Sequence, residues 1–556
     1  MIRLERVVLW GLMLLFAPWA VASDDISARV DKLFAAWDKP DTPGASLAVV
    51  RDGQIVYSRG YGLANLEYGA RNAPSTVFHV ASLSKQFTAF AIHLLAQEGR
   101  LSLGDEVRKF VPELQVQGPP ITIRHLLHHT SGLRDQWILL TLAGLRLDDG
   151  ITEGDILGLL WQQQQLNFAP GEEELYSNSG YTLLGLIVKR VSGQSLAAFA
   201  QARLFGPLGM KNTHFHESYG ALVAGRAYSY RRTGESYRYV ALSYSNVGAT
   251  SLFTTVEDLA RWDRNFDTAT VGGASLLAAM QQRGRLNSGR EIGYASGLMI
   301  GRYRGFPIVE HGGEDAGYRS HLLRFAAPRL TVLLLGNASD LNAGELARRV
   351  ADIYLEAAPG LEPVRTFPTE VDLPATALAP YLGDFEMRPG FVLSFTSQGN
   401  RLFVQATGQP RFAMFASADD RFFTKAFEAS VRFDQPSGGG AAATALWQQG
   451  GQDLPLARIT REIPSAAALQ ACIGEYYSEE LRTLYRLSLR DGKLWARYPR
   501  GELELKPLSH DVFSAAFPIG TLALRRNATG VCTGFAITTG RVRNLLFQRV
   551  NLEPVS

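Results

Sequence analysis

Three short stretches of this chain carry residue types that together can run acyl transfer to a serine. Ser82-Leu-Ser-Lys85 comes first, Tyr176-Ser-Asn178 follows 94 residues later, and His311-Gly312-Gly313 lies a further 135 residues on. A serine hydroxyl is a poor nucleophile until a base within hydrogen-bond reach takes its proton. Here the bases at hand are an amine and a phenol, not an imidazole. On a helix, serine and lysine three positions apart share one face, so the amine can approach the hydroxyl. The chain holds only nine lysines, and Lys85 alone has a serine three positions before it. Composition alone would supply such a tetrad in roughly one comparable chain in two. The order and spacing of all three stretches therefore carry the argument.

Each residue has an expected role. Ser82, at a helix start, meets the positive end of the helix dipole, worth roughly 0.3–1 kcal/mol to developing negative charge. Tyr176 serves as base if Lys85 and other positive groups lower its phenol pKa, and can then return the proton to a leaving amine. Asn178 can orient Lys85 and hold a substrate amide. His311 supplies electrostatic and hydrogen-bonding support in place of a lysine, and Gly312-Gly313 suits a strand that substrate must approach closely. The backbone N–H groups of Ser82 and Glu314 would form an oxyanion hole, each donor worth about 3–4 kcal/mol. The plainer alternatives are an N-cap at Ser82, a solvated Lys85, a simple turn at Tyr176-Ser-Asn178 and a bend at His311. All of them would have to hold together.

Several elements must position these residues. Val30, Leu33, Phe34 and Trp37 give residues 26–38 the spacing of an amphipathic helix. Residues 45–50 and 54–59 read as strands around an Arg51-Asp52-Gly53 turn. A helix opening at Ser82 would bury Phe87, Phe90, Ala91, Leu94 and Leu95 and stop at Gly99. Residues 120–206 read as mostly helical. Short strands follow at 297–303, 307–310, 317–325 and 330–335, then a helix at 341–356. This pattern predicts an α/β (α+β) domain whose sheet joins both ends of the segment. Past a proline-rich linker at 359–376 comes a repeat with a period near 91 residues. Leu378-x-x-Tyr381-x-Gly383-x-Phe385 answers to Leu469-x-x-Cys472-x-Gly474-x-Tyr476. Alternating strands and tight turns in both units predict two small antiparallel barrels, at 377–462 and 463–556.

With 556 residues and 46% hydrophobic content, the chain has ample core for several domains. Its net charge of +3 contains no long single-sign run, which argues against nucleic acid as a partner. Arg3 and Arg6, the apolar run 7–16 and Ala20-Val21-Ala22 read as a signal peptide over residues 1–22. A mature chain starting near Ser23, secreted or periplasmic and without a stable membrane span, is the expectation. Cys472 and Cys532 could pair in an oxidising compartment or remain two core thiols. His125, His128 and His129 lack acidic or cysteine partners at useful spacing and read as structural. No metal or cofactor is expected, and a homodimer stays open.

At these motifs the chain resembles the serine beta-lactamase and penicillin-binding-protein superfamily, in its class C-like branch, peptidase family S12. That branch carries Ser-x-x-Lys, Tyr-x-Asn and Lys-Thr-Gly or His-x-Gly. Leu126-Leu-His-His-Thr130-Ser131-Gly132-Leu133 and the Asp258-Leu-Ala-Arg-Trp262 segment extend the likeness across residues 25–358. Within it the chain is most similar to D-aminopeptidase, through Ser82-x-Ser-Lys85-Gln-Phe-Thr88, Ser131-Gly-Leu-Arg-Asp135-x-Trp137, and His311-Gly-Gly followed by Gly317-Tyr318-Arg319. The resemblance implies a beta-lactamase-like catalytic domain at 23–358 with an antiparallel sheet and a helical subdomain. Two lipocalin-like barrels would follow, one sending a loop into the active site. It implies Ser82 as nucleophile, Lys85 and Tyr176 as the proton-transfer pair, and Asn178 and His311 as supports. The expected substrates are small peptides or amides, with D-residues plausible, or else esters or beta-lactams. A non-catalytic binding or scaffolding role is the remaining alternative.

Overall fold

A computed structural model of the chain describes residues 17–550, apart from 364, 365, 389, 408, 435–439, 451, 462, 463 and 510. The expected export segment lies outside the described residues up to residue 16, and the first helix, α1, runs over Ala17–Phe34. It closes in a turn that Trp37 and Asp38 hydrogen-bond back to Phe34, four residues short of expectation, because Pro40 cannot extend a helix. Strands β1 (Ala45–Arg51) and β2 (Gln54–Tyr61) form a hairpin. The helices that follow include α2 (Lys85–Gln97), α3 (Gln136–Ala143), α4 (Asn178–Ser192) and α5 (Val256–Thr268). Strands β3 (Met299–Tyr303), β4 (Phe306–Asp315), β5 (Tyr318–Phe325) and β6 (Leu330–Gly336) come next, and α6 (Ala343–Leu355) closes the unit.

The six strands form one antiparallel sheet in the order β3-β4-β5-β6-β1-β2, so the two ends of the segment meet at β6 and β1. β1 and β6 are apolar on both faces because both faces are covered. Val30 and Phe34 of α1 and Val350 and Leu355 of α6 seal one face. On the other face, α5 is tied to the sheet by Asp263, which accepts from Arg324 and Thr331. α2 and α4 pack together in the helical region beyond.

β4 runs to Asp315, where the sequence suggested an end at Glu310. The glycines beyond Glu310 stay in the strand and allow close packing against the protein itself. A Cβ on Gly313 would sit 2.3 Å from the Val80 carbonyl and 2.4 Å from Ser320 Oγ. Strand β3 pairs only with residues 306–310 of β4, so the outer edge of β4 beyond Glu310 carries no strand. The turn that bears Ser82 packs there.

Residues 383–459 and 474–549 form two closed eight-stranded antiparallel barrels. The sequence repeat marks their bases. A short helical segment leads into each, Ala375–Tyr381 and Ala466–Gln470, burying Leu378 and Leu469, while Phe385 and Tyr476 are fully enclosed. Cys472 and Cys532 are buried free thiols in the second barrel. Among the described residues no single helix is long and apolar enough to cross a membrane.

Candidate active site

Ser82 sits in a 3-10 turn, Ala81–Ser84, that runs straight into α2. Its side chain caps nothing. Ala81 holds a left-handed backbone (φ 49°), a conformation costly for a residue with a Cβ and typical of chain bends at reactive positions. Lys85, at the first position of α2, is completely buried. Its Nζ lies 3.2 Å from Ser82 Oγ, 2.8 Å from Asn178 Oδ1 and 2.7 Å from the Ala249 carbonyl. Burial and the Arg541 guanidinium hold the Lys85 amine well below the usual lysine range, against the smaller pull of Asp135 and Asp315. A neutral amine has two N–H donors and one lone pair. In that form the two shorter contacts, to pure acceptors, would take the donors and leave the lone pair for the Ser82 hydroxyl, whereas the ammonium donates to all three.

Tyr176 enters from the segment preceding α4. Lys85 Nζ lies 4.8 Å from the centre of its ring. Burial pushes the phenol above its ordinary value, opposed by the Ser82 hydroxyl and Arg541 and reinforced by Asp135. This corrects the expectation of a phenol lowered by Lys85: desolvation outweighs the nearby charge, so the resting phenol keeps its proton. The hydroxyl is buried and has no partner in good hydrogen-bonding geometry. The His129 ring lies tilted against the Tyr176 ring at 4.1 Å between centroids, and His129 accepts from the Ser177 N–H (3.2 Å), so this histidine is a wall of the site. Asn178 reaches Lys85 through Oδ1 and gives one Nδ2 hydrogen to Asp135 (2.8 Å), leaving the second toward the cavity.

The third motif differs most from expectation. His311 Nδ1 donates to the Gly312 carbonyl (2.6 Å), and Nε2 accepts from Tyr294 OH (2.9 Å). Burial, with Lys85 close by, lowers its pKa to about 4, so the ring is neutral at pH 7. His311 therefore brings no positive charge to the site. Gly312-Gly313 likewise serves protein packing, since Gly313 lets β4 touch the backbone of the Ser82 turn. A two-residue turn makes Asp315 and Tyr318 a hydrogen-bonded pair, and ladder alternation aims the Gly312 and Glu314 peptide groups at the open edge. Ser82 and Glu314 border one cavity of about 380 Å³, together with Tyr176, Asn178, Tyr244 and Asp315. Tyr244 and Thr250 both donate to Asp315, whose carboxyl burial pushes above the usual range.

One wall of this cavity comes from the second barrel. The hairpin between strands Cys532–Thr539 and Val542–Arg549 turns at Gly540 (φ 50°) and places Arg541 in the lining. The Arg541 carbonyl accepts from Asp135 N–H (3.3 Å) and Asn167 Nδ2 (3.0 Å). Arg134, fully buried, donates to the Arg543 and Asn544 carbonyls (both 3.1 Å) and pairs with Glu480 of the same barrel. Arg543 makes a bidentate pair with Glu173, so part of the acidic run 172–174 is a docking contact. The sequence held no local sign of Arg541. Asp135 lay within the resemblance but carried no assigned role, and His129 read only as structural.

A family model described as Beta-lactamase matches residues 30–355. Penicillin-binding protein 4* of Bacillus subtilis (strain 168) is 30% identical over 430 residues, covering 73% of this chain and 93% of that protein. D-aminopeptidase of Gluconobacter oxydans (strain 621H) is 29% identical over 317 residues, 57% of this chain and 60% of that one. The octameric penicillin-binding protein homologue from Pyrococcus abyssi superposes with a TM-score of 0.55 at 21% identity, covering 88% of this chain and all of the other, a likeness of fold. Matched over more than half its length and carrying a serine beside a buried lysine at the cavity, the chain belongs to the beta-lactamase family and is a serine hydrolase.

Proposed function

We propose that this enzyme hydrolyses small peptides or amides containing D-residues through an acyl-enzyme on Ser82. The observation that carries the reading is the desolvated Lys85 amine 3.2 Å from Ser82 Oγ. Lys85 takes the hydroxyl proton as Ser82 Oγ bonds to the substrate carbonyl carbon. The negative oxygen of the tetrahedral intermediate faces the N–H groups of Ser82 and Glu314. As the C–N bond breaks, Tyr176 gives its proton to the leaving amine and recovers one from the Lys85 ammonium. Water then attacks the ester by the same route in reverse and frees Ser82.

The choice of amide or peptide substrates draws support from relatives named penicillin-binding protein 4* and D-aminopeptidase. A neutral His311 in the third motif weakens the case for beta-lactams. We place the activity outside the cytoplasm on the strength of the basic, apolar and small-residue order of residues 1–22. The test compares D- and L-phenylalaninamide, a p-nitrophenyl ester and nitrocefin as substrates, with Ser82→Ala as control. The reading expects turnover of the D-amide at least tenfold above its L-enantiomer, absent in Ser82→Ala. Equal rates on both enantiomers, or a rate retained in Ser82→Ala, would overturn it.

A further inference from the structure

The second barrel holds two cysteines that the acyl-transfer chemistry does not use, and both are fully buried. Cys472 lies between the short helix Ala466–Gln470 and strand Gly474–Ser478, and Cys532 opens strand Cys532–Thr539. Strand Val542–Arg549 runs between these two strands, pairing Arg549 with Tyr476 on one side and Gln548 with Gly534 on the other. It stops at Arg549, so the flanking segments can close on each other past its end. Three contacts show that they do. Arg549 Nη1 donates to both the Ala471 carbonyl (3.0 Å) and the Cys532 carbonyl (3.3 Å), while Nη2 donates to the Ile473 carbonyl (2.7 Å). The Tyr476 hydroxyl lies 2.7 Å from the Cys472 carbonyl and 3.5 Å from Cys532 Sγ. The two thiols are within hydrogen-bond reach of each other. Among the described residues no cluster of His, Cys, Asp and Glu could hold a metal ion, so the pair is not half of a ligand set.

We propose that a disulfide joins Cys472 to Cys532 in the working protein, tying the entry of the second barrel to the strand that leads to its cavity-facing hairpin. In the cell this rests on the placement outside the cytoplasm put forward above, where oxidising disulfides are at hand. The oxidant is an external disulfide. One cysteine thiolate attacks it, forming a mixed disulfide and releasing one thiol. The other cysteine thiolate then displaces the second thiol, so the protein loses two protons and two electrons and the oxidant becomes two thiols. Because both sulfurs are enclosed in the finished barrel, this exchange belongs to folding, before the barrel closes. The cross-link would close a loop of about 60 residues that holds six of the eight strands. The remaining two strands form the hairpin whose tip places Arg541 in the cavity wall. A loop of that length gives a cross-link much of its stabilising effect by restricting the unfolded chain.

The test counts thiols in the full-length protein. One sample is purified from cells without reductant, and another is reduced, unfolded in urea and returned to native buffer containing reduced and oxidised glutathione at set ratios. Both are alkylated with iodoacetamide in denaturant, and mass spectrometry reports the thiols left and the linked peptides. The oxidised samples should carry no free thiol and one peptide pair joining Cys472 to Cys532. Reduction should lower the urea midpoint by an amount equal to about 30- to 1000-fold in the unfolding equilibrium. Cys472→Ala and Cys532→Ala should each show a midpoint that no longer responds to reductant. Two free thiols at every glutathione ratio, links only between separate chains, or an oxidised form no more stable than the reduced one would overturn the proposal. If the full-length protein does not refold, partial opening in sub-denaturing urea with oxidised glutathione gives the same count. The two readings fail separately. Free thiols in the protein from cells, with the link forming readily in glutathione, would remove the placement outside the cytoplasm and leave the cross-link site standing.

Discussion

The second barrel can only serve the cavity if it is held there, and the Arg134–Glu480 pair is where that hold can be measured. The Arg134 side chain is 0% exposed and the Glu480 side chain 6%, so removing the carboxylate strands a guanidinium out of water. Its remaining partners, the Arg543 and Asn544 carbonyls and Gln163 Oε1, are all neutral. Burial already lowers the Arg134 pKa, with Glu480 as the opposing influence. Breaking such a pair by deleting one member costs about 3–5 kcal/mol, whereas replacing both members costs much less than the sum. Glu480 Oε2 also accepts from Gln164 N–H (3.1 Å), a bond that Glu480→Gln can keep. We expect Glu480→Ala to lose about 3–5 kcal/mol and Glu480→Gln less. The Arg134→Met/Glu480→Ala double variant should fall at least 1 kcal/mol short of additivity. Urea unfolding followed by both tryptophan fluorescence and circular dichroism reports these values and checks whether the barrel and catalytic domain unfold together. A cost below about 1 kcal/mol for Glu480→Ala, or an additive double variant, would refute this account of docking.

Three further expectations follow from the site. Ser82→Ala should fold normally and show no turnover, while Tyr176→Phe should lose about 10²- to 10⁴-fold in kcat. Retained wild-type rates in either would contradict the proton path. Gly313→Ala should cost about 1–3 kcal/mol and most of the activity, because the new Cβ meets Val80 O and Ser320 Oγ; unchanged thermal unfolding would show that β4 can move away freely. Finally, burial lowers His79 to about 3 and His93, His128 and His311 to about 4. The unfolded chain, with imidazoles near pKa 6.5, binds protons that the fold refuses. Their contribution to stability is therefore complete above about pH 6.5 and is lost as pH falls toward 4. The urea midpoint should drop between pH 7 and 4.5, and a flat profile over that range would contradict the buried neutral imidazoles.

Much of the fold was legible because it is local. The Ser-x-x-Lys spacing, the two strand-like runs around Arg51-Asp52-Gly53 and the 91-residue repeat each reflect contacts within a helix turn, a hairpin or a barrel base. What escaped depends on contacts distant in sequence. Gly312-Gly313 reads as leaving room for substrate, and only the packing of Val80 against Gly313 shows that the space is taken by the protein's own backbone. Neighbouring charge suggested a lowered Tyr176 phenol, whereas burial, with the His129 and Tyr294 rings against it, raises it. Arg541 lies 365 residues beyond Tyr176, in a hairpin like several others of the barrel, and no pattern in the chain announces where that barrel docks.

The central claim is that a desolvated lysine activates Ser82. It is tested most directly by the pH dependence of fluorophosphonate labelling, with the modified peptide identified by mass spectrometry. The account predicts labelling at Ser82 whose rate rises with pH through a midpoint well below 10.5 and loses that limb in Lys85→Met. Labelling at another residue, or a midpoint at or above the ordinary lysine value, would contradict it.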